Sequence, residues 1–200
     1  MKKQVVIIHG ADTFATYEEY ISFLKNFTID TLDYFTKKGW KDSLQKELGE
    51  EFEVIAPKMP NKWNARYVEW KIWFEKLIPL LNSEVVFVGH SMGGMFLAKY
   101  LSENAFSKKI KGVFLVASPY SAKDSGYVAD FMLPEDLDSL NKQAAQVYMY
   151  HSEDDTVVPF NEFIQYKKKL PNTHAISFKD RGHFNQEFFP EIVRDIKSLF

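Results

Sequence analysis

The sequence predicts an α/β fold, a mostly parallel six-stranded sheet with helices on both faces. Three observations predict it. Six short apolar runs recur along the 200 residues, at 4–8, 52–56, 84–88, 112–117, 146–150 and 175–178. Helical patterns separate them. The runs Val85-Val86-Phe87-Val88 and Val113-Phe114-Leu115-Val116 do not alternate apolar with polar, as suits strands covered on both faces.

The helices are read from spacing and punctuation. Tyr67, Trp70, Phe74, Leu77 and Leu81 recur at steps of three and four, which is one helix face. Asn61 or Asn64 is placed to cap its start, and Pro79 to end or kink it. A second helix runs from Trp40 through Leu44 and Leu48, between Gly39 and Gly49. Met95, Ala98 and Leu101 mark a third, and Ile192, Ile196 and Leu199 a last one.

Two segments are longer than the usual ~2–6 residue connection. In 11–39, Thr16 and Glu19 form a capping box, followed by Tyr17, Ile21, Leu24 and Thr28 at helical spacing. This predicts one or two inserted helices within a single domain spanning 1–200. The other segment, 118–145, carries Pro119, Gly126 and Pro134. Each segment is either extra packing surface or an apolar cover over a site. Likewise, the aromatics of 11–39 with Phe131, Met132 and Leu133 either line an acyl pocket or belong to the core.

Composition excludes several classes. Apolar residues make up 46% and charged residues 26%, an ordinary globular balance. Net charge is −2, and Arg is confined to Arg66, Arg181 and Arg194. That is not the basic footprint of a nucleic-acid binder. With no Cys, disulfides and thiolate metal sites are excluded. The histidines are dispersed and show no H-E-x-x-H spacing, so no metal or organic cofactor is implied. No run approaches the ~18 apolar residues of a membrane span. The four-residue run after Lys2 and Lys3 is too short for a signal peptide, so a cytoplasmic protein is expected.

Gly89-His90-Ser91-Met92-Gly93 matches G-x-S-x-G. Three fixed positions in a chain of this length give roughly 0.07 chance matches. The context is more specific, because the motif joins a predicted buried strand to a predicted helix, as a nucleophile elbow requires. The sharp turn exposes the Ser91 hydroxyl, and glycines two residues either side relieve the crowding. The Met92 N–H then stands at a helix N-terminus, where negative charge is favoured.

Serine needs a general base. His183, in the loop Asp180-Arg181-Gly182-His183 after the sixth run, is at the same sheet edge as Ser91. His174 opens a strand and should point away, while His90 and His9 read as structural. The chain order Ser, acid, His places the acid after the fifth run. There the candidates are Asp154 and Asp155, with Asp155 preferred and Asp154 shaping the loop. The acid would hold His183 in the right tautomer. The second oxyanion donor is expected from the loop after the first run, at the Ala11 N–H. Asp12 beside it should turn away, because a carboxylate aimed at an oxyanion is unfavourable.

These pieces, with Ala56-Pro57-Lys58-Met59-Pro60-Asn61, Val158-Pro159 and Gly182-His183-Phe184, resemble the α/β-hydrolase superfamily. Within it, the chain is similar to the small serine hydrolases of the retinoblastoma-binding protein nine type and their bacterial relatives. The resemblance implies a three-layer sandwich with no large cap domain. It also places the triad acid three residues before the Val of Val158-Pro159, at Asp155. The 11–39 segment is longer than the family's usual loop, and a Cys-containing retinoblastoma-protein-binding motif is impossible here. A small-molecule acyl substrate is therefore the one partner expected. The expected activity is ester or thioester hydrolysis through an acyl-enzyme on Ser91. The alternatives are an acyltransferase and a non-catalytic scaffold on the same fold.

Overall fold

The computed structural model describes residues 1–121 and 128–200. Gly126, one of the punctuating residues of the 118–145 segment, lies outside the described residues. Six parallel strands form one sheet in the order β2-β1-β3-β4-β5-β6. They are β1 (Lys3–Ile8), β2 (Phe52–Ile55), β3 (Glu84–His90), β4 (Lys109–Val116), β5 (Val147–Ser152) and β6 (His174–Phe178). Each coincides with one of the six apolar runs to within three residues at either end.

Both sheet faces are covered, which explains the continuous apolar runs. Val6, Ile8, Val85, Phe87, Val113 and Leu115 point to one face. There they meet α4 (Tyr67–Leu77), α5 (Met92–Glu103), α6 (Asp138–Gln143) and α7 (Phe160–Lys169). Val5, Ile7, Val86, Val88, Phe114 and Val116 point to the other, against α3 (Trp40–Leu48) and α8 (Pro190–Lys197). Alternate residues thus go to opposite layers, and both layers are oil.

Most punctuation acts as the sequence implies. Gly39 and Gly49 flank α3, with Gly49 at φ 95°. A 3₁₀ turn at Ile78–Leu80 carries Pro79 and ends α4. The α4 cap differs from expectation. Its N-cap is Arg66, without a side-chain bond, and neither Asn61 nor Asn64 fills that place. Asp130, remote in sequence, accepts the Tyr67 N–H at 2.8 Å and the Val68 N–H at 3.4 Å. A carboxylate from another segment can satisfy an orphan helix N–H as well as a local residue can.

The 11–39 insertion forms α1 (Tyr17–Asn26) and α2 (Asp33–Thr36). Thr16 caps α1 by accepting the Glu19 N–H at 3.1 Å. Neither helix buries a residue. Phe131 belongs to the core, packed on Tyr67 and Trp70, whereas Met132 is exposed. Among the described residues no helix is long and apolar enough to cross a membrane.

Candidate active site

The strand order reverses at β1 and β3: the chain leaves β1 for β2 on one side and then steps to β3 and onward on the other. Ligands bind outside the carboxyl ends of strands at such a switch point. The loops after β1, β3, β5 and β6 carry Ala11, Ser91, Asp155 and His183 to this edge.

Ser91 is the N-cap of α5 at φ 54° and ψ −128°, a conformation that non-glycine residues rarely adopt. Its N–H is fixed to the Val116 carbonyl at 2.8 Å. The close approach that allows the turn requires glycine. A Cβ on Gly89 would lie 2.5 Å from the Gly93 carbonyl oxygen, and one on Gly93 would lie 2.2 Å from the Ile8 carbonyl oxygen. The elbow is therefore wedged between its own helix and β1. Met92 supplies the first N–H of α5, which has no intrahelical acceptor.

Asp155 is buried and its two oxygens divide the work. Oδ1 accepts the Val157 and Val158 N–H groups at 2.8 and 2.9 Å, and Oδ2 accepts from His183 Nδ1 at 2.8 Å. Burial pushes the Asp155 carboxyl up, but the hydrogen bond and charge of His183, with the two amides, outweigh it and hold the group below its usual range. With Nδ1–H committed to Asp155, the His183 Nε2 lone pair is left for other work. Ser91 and His183 line one cleft of about 820 Å³ without a direct hydrogen bond between them. Such bonds often tighten only when substrate binds.

The backbone around His183 is pinned residue by residue. Arg181 N–H donates to Ser152 Oγ and Gly182 N–H to Asp154 Oδ1, both at 2.9 Å. His90 Nε2 donates to the His183 carbonyl and Trp40 Nε1 to the Phe184 carbonyl, again both at 2.9 Å. Asp154 thus shapes the loop, as its position implied. Trp40 was legible only as a helix start, and Ser152 carried no reading of its own. Their polar atoms serve a loop more than a hundred residues away in one case and 29 in the other.

His9 plays a matching part on the opposite wall. Its Nε2 accepts the Met59 N–H at 2.9 Å, so Nδ1 carries the hydrogen and donates to the Gly10 carbonyl at 2.8 Å. That grips the Gly10–Ala11 peptide beside Ser91, where a Cβ on Gly10 would meet Ser91 Cβ at 2.9 Å. Burial, the largest influence, lowers the His9 pKa and keeps the ring neutral. His174 is exposed at the start of β6, away from the site.

Asp12 sits at the rim of the site. It lines both the main cleft and a smaller recess of about 190 Å³ beside Ser91. Its N–H and carbonyl are tied to Lys62 and Ala65, which holds the residue at the rim. Burial raises its carboxyl pKa, against the opposing pull of Lys62. The aromatics of the insertion line neither recess. Phe23 and Phe27 instead stack on Trp63, which forms part of the cleft wall.

Residues 33–189 match the profile of the serine hydrolase family. The chain belongs to that family. It is 25% identical to the serine hydrolase RBBP9 of Rattus norvegicus over 169 residues, covering 80% of this chain and 86% of that protein. Among solved structures it is similar to the ydeN gene product of B. subtilis, with a TM-score of 0.79 at 20% identity over 100% of this chain and 99% of that one. A putative YdeN-like hydrolase from Pectobacterium atrosepticum superposes with a TM-score of 0.62 at 14% identity, over 100% and 93% of the two chains. The protein is therefore a serine hydrolase with an α/β-hydrolase fold. Residues 11–32, with α1, lie outside the part that matches the family profile.

Proposed function

We propose that the protein hydrolyses carboxylic esters or thioesters through an acyl-enzyme on Ser91, with His183 as base and acid and Asp155 as its orienting partner. One observation carries the reading. The Asp155–His183 pair, at 2.8 Å, opens onto the same cleft as a serine held at positive φ at a helix N-terminus.

Ser91 Oγ attacks the carbonyl carbon as its proton passes to His183 Nε2. The carbonyl oxygen takes the negative charge between the N–H groups of Met92 and Ala11. The grip of His9 on the Gly10 carbonyl supports this role for Ala11. In a trans peptide the C=O and N–H point opposite ways, so holding one aims the other. Collapse expels the alcohol or thiol, which takes the proton from His183. Water then attacks the acyl group, His183 removing its proton, and the carboxylic acid leaves with Ser91 restored.

The smaller recess is walled by Met92, Pro119, Val128 and Val158 and suits a short acyl group. Ser91→Ala should lower turnover of an activated ester such as 4-nitrophenyl acetate by ~10³ or more. A fluorophosphonate should add its mass to Ser91 and leave that variant unmodified. Near-full turnover by the alanine variant would refute the mechanism.

A further inference from the structure

Lys41, in the first turn of α3, lines the same cleft as Ser91 and His183. It is held where a cation is unwelcome. Burial is the first cause lowering its pKa, to about 8, with Lys62 acting in the same direction and Asp42 opposing. The positive end of the helix dipole adds to the penalty. Its partners are uncharged: Nζ lies 3.1 Å from His90 Nδ1 and 5.6 Å from the centre of the Trp40 ring. His90 is itself kept neutral, first by burial and then by Lys41 and His183, so it accepts from the ammonium and neutralises nothing. No carboxylate of the described residues pairs with Lys41. The Asp42 carboxylate is engaged by the Gly39 N–H at 2.8 Å, and the charge that Asp12 feels is that of Lys62.

The two recesses at Ser91 divide a substrate. His183 must protonate the leaving group, and it lines the large cleft. The smaller recess also reaches Ser91 but is not lined by His183 or Lys41, and it is left for the acyl half. Lys41 stands in the large cleft, one imidazole away from His183: it contacts the His90 ring, whose centre is 4.8 Å from that of His183. We propose that Lys41 is a specificity-determining residue that binds a carboxylate on the alcohol or thiol half of the substrate, so that the preferred substrates are short acyl esters of acidic alcohols or thiols. This deepens the hydrolase reading and rests on it.

The test compares 4-acetoxybenzoate with the neutral 4-acetoxybenzamide. Lys41→Met should reduce the ratio of their kcat/KM values at least tenfold, through KM for the carboxylate, and Lys41→Arg should retain most of it. Intrinsic reactivity cancels because the ratio is compared between variants. An unchanged ratio overturns the proposal, as does an equal fall for both substrates, which would mean that Lys41 acts only through His90. A second pair, mono-4-nitrophenyl succinate and 4-nitrophenyl pentanoate, places the charge on the acyl half. A Lys41 effect confined to that pair overturns the assignment to the leaving group. Binding of 4-hydroxybenzoate to Ser91→Ala, measured by calorimetry, needs no catalysis and should vanish on adding Lys41→Met. Retained binding without fluorophosphonate labelling of the unmodified protein would refute the hydrolase mechanism alone. Labelling without 4-hydroxybenzoate binding would refute the anion site alone.

Discussion

The loop that carries His183 and the insertion that carries α1 both border the cleft, yet side chains from elsewhere grip four consecutive residues of the first and, in the second, the backbone of Phe14. Around His183, four consecutive residues have a backbone atom bound by a side chain from elsewhere in the chain. In the insertion, α1 and α2 bury nothing, and Tyr17, Leu32 and Phe35 are exposed by 66%, 81% and 66%. Its tertiary hold includes ring stacking of Phe23 and Phe27 on Trp63. Polar bonds in low dielectric fix one geometry, because losing one leaves a buried group unsatisfied. Ring contacts tolerate many geometries. The loop that holds the Asp155–His183 pair uses the first kind of hold.

That contrast can be broken at several points. Asp155→Asn carries the largest expected effect. It keeps the shape but cannot accept the Nδ1–H as a charged oxygen, and kcat should fall by ~10³–10⁴ with little change in fold. Steady-state kinetics alongside far-UV circular dichroism would check it. A loss below tenfold would mean that the anchored loop alone positions the ring.

Lys41→Met comes next and has the opposite sign for stability. In the folded chain Lys41 faces His90, His9 and Lys62 from other elements and Asp42 on its own, and burial dominates. Its proton is bound more weakly folded than unfolded. Between pH 8 and the normal lysine range the unfolded chain therefore holds more protons, and stability rises with pH there. Urea midpoints should show the variant more stable than the parent by roughly 2–3 kcal/mol near pH 7, with the gap closing by pH 10. A gap that does not change with pH would show that the ammonium is well solvated.

Trp40→Phe removes the indole N–H that holds the Phe184 carbonyl. It should cost about 1–3 kcal/mol and lower kcat through His183. Stability lost with kcat intact would make that bond structural only. The smallest effect is expected in the insertion. Leu32→Ser should stay within about 0.5 kcal/mol in the same denaturation assay, as exposed positions do. A larger loss would reveal packing that the exposure of Leu32 denies.

The central strands were legible because strands covered on both faces carry uninterrupted apolar residues. The grouping of Ser91, Asp155 and His183 at one cleft was legible because a G-x-S-x-G turn dictates its glycines and the chain order of the residues expected beside it. The α4 cap was not, since Asp130 is more than sixty residues from the N–H groups it satisfies. Nor was the place of Asp12 at the rim of both recesses, which depends on where Lys62 and Ala65 hold its backbone.

The sequence by itself determined the layer architecture, the elbow and which serine, aspartate and histidine meet at one cleft, because these follow from period, turn chemistry and order along the chain. Only the tertiary structure decided which groups hold the His183 loop, and that Lys41 lies buried in the cleft with no anionic partner among the described residues. Those facts belong to atoms brought together from distant segments, where burial sets the strength of every charge and hydrogen bond and no local pattern records it.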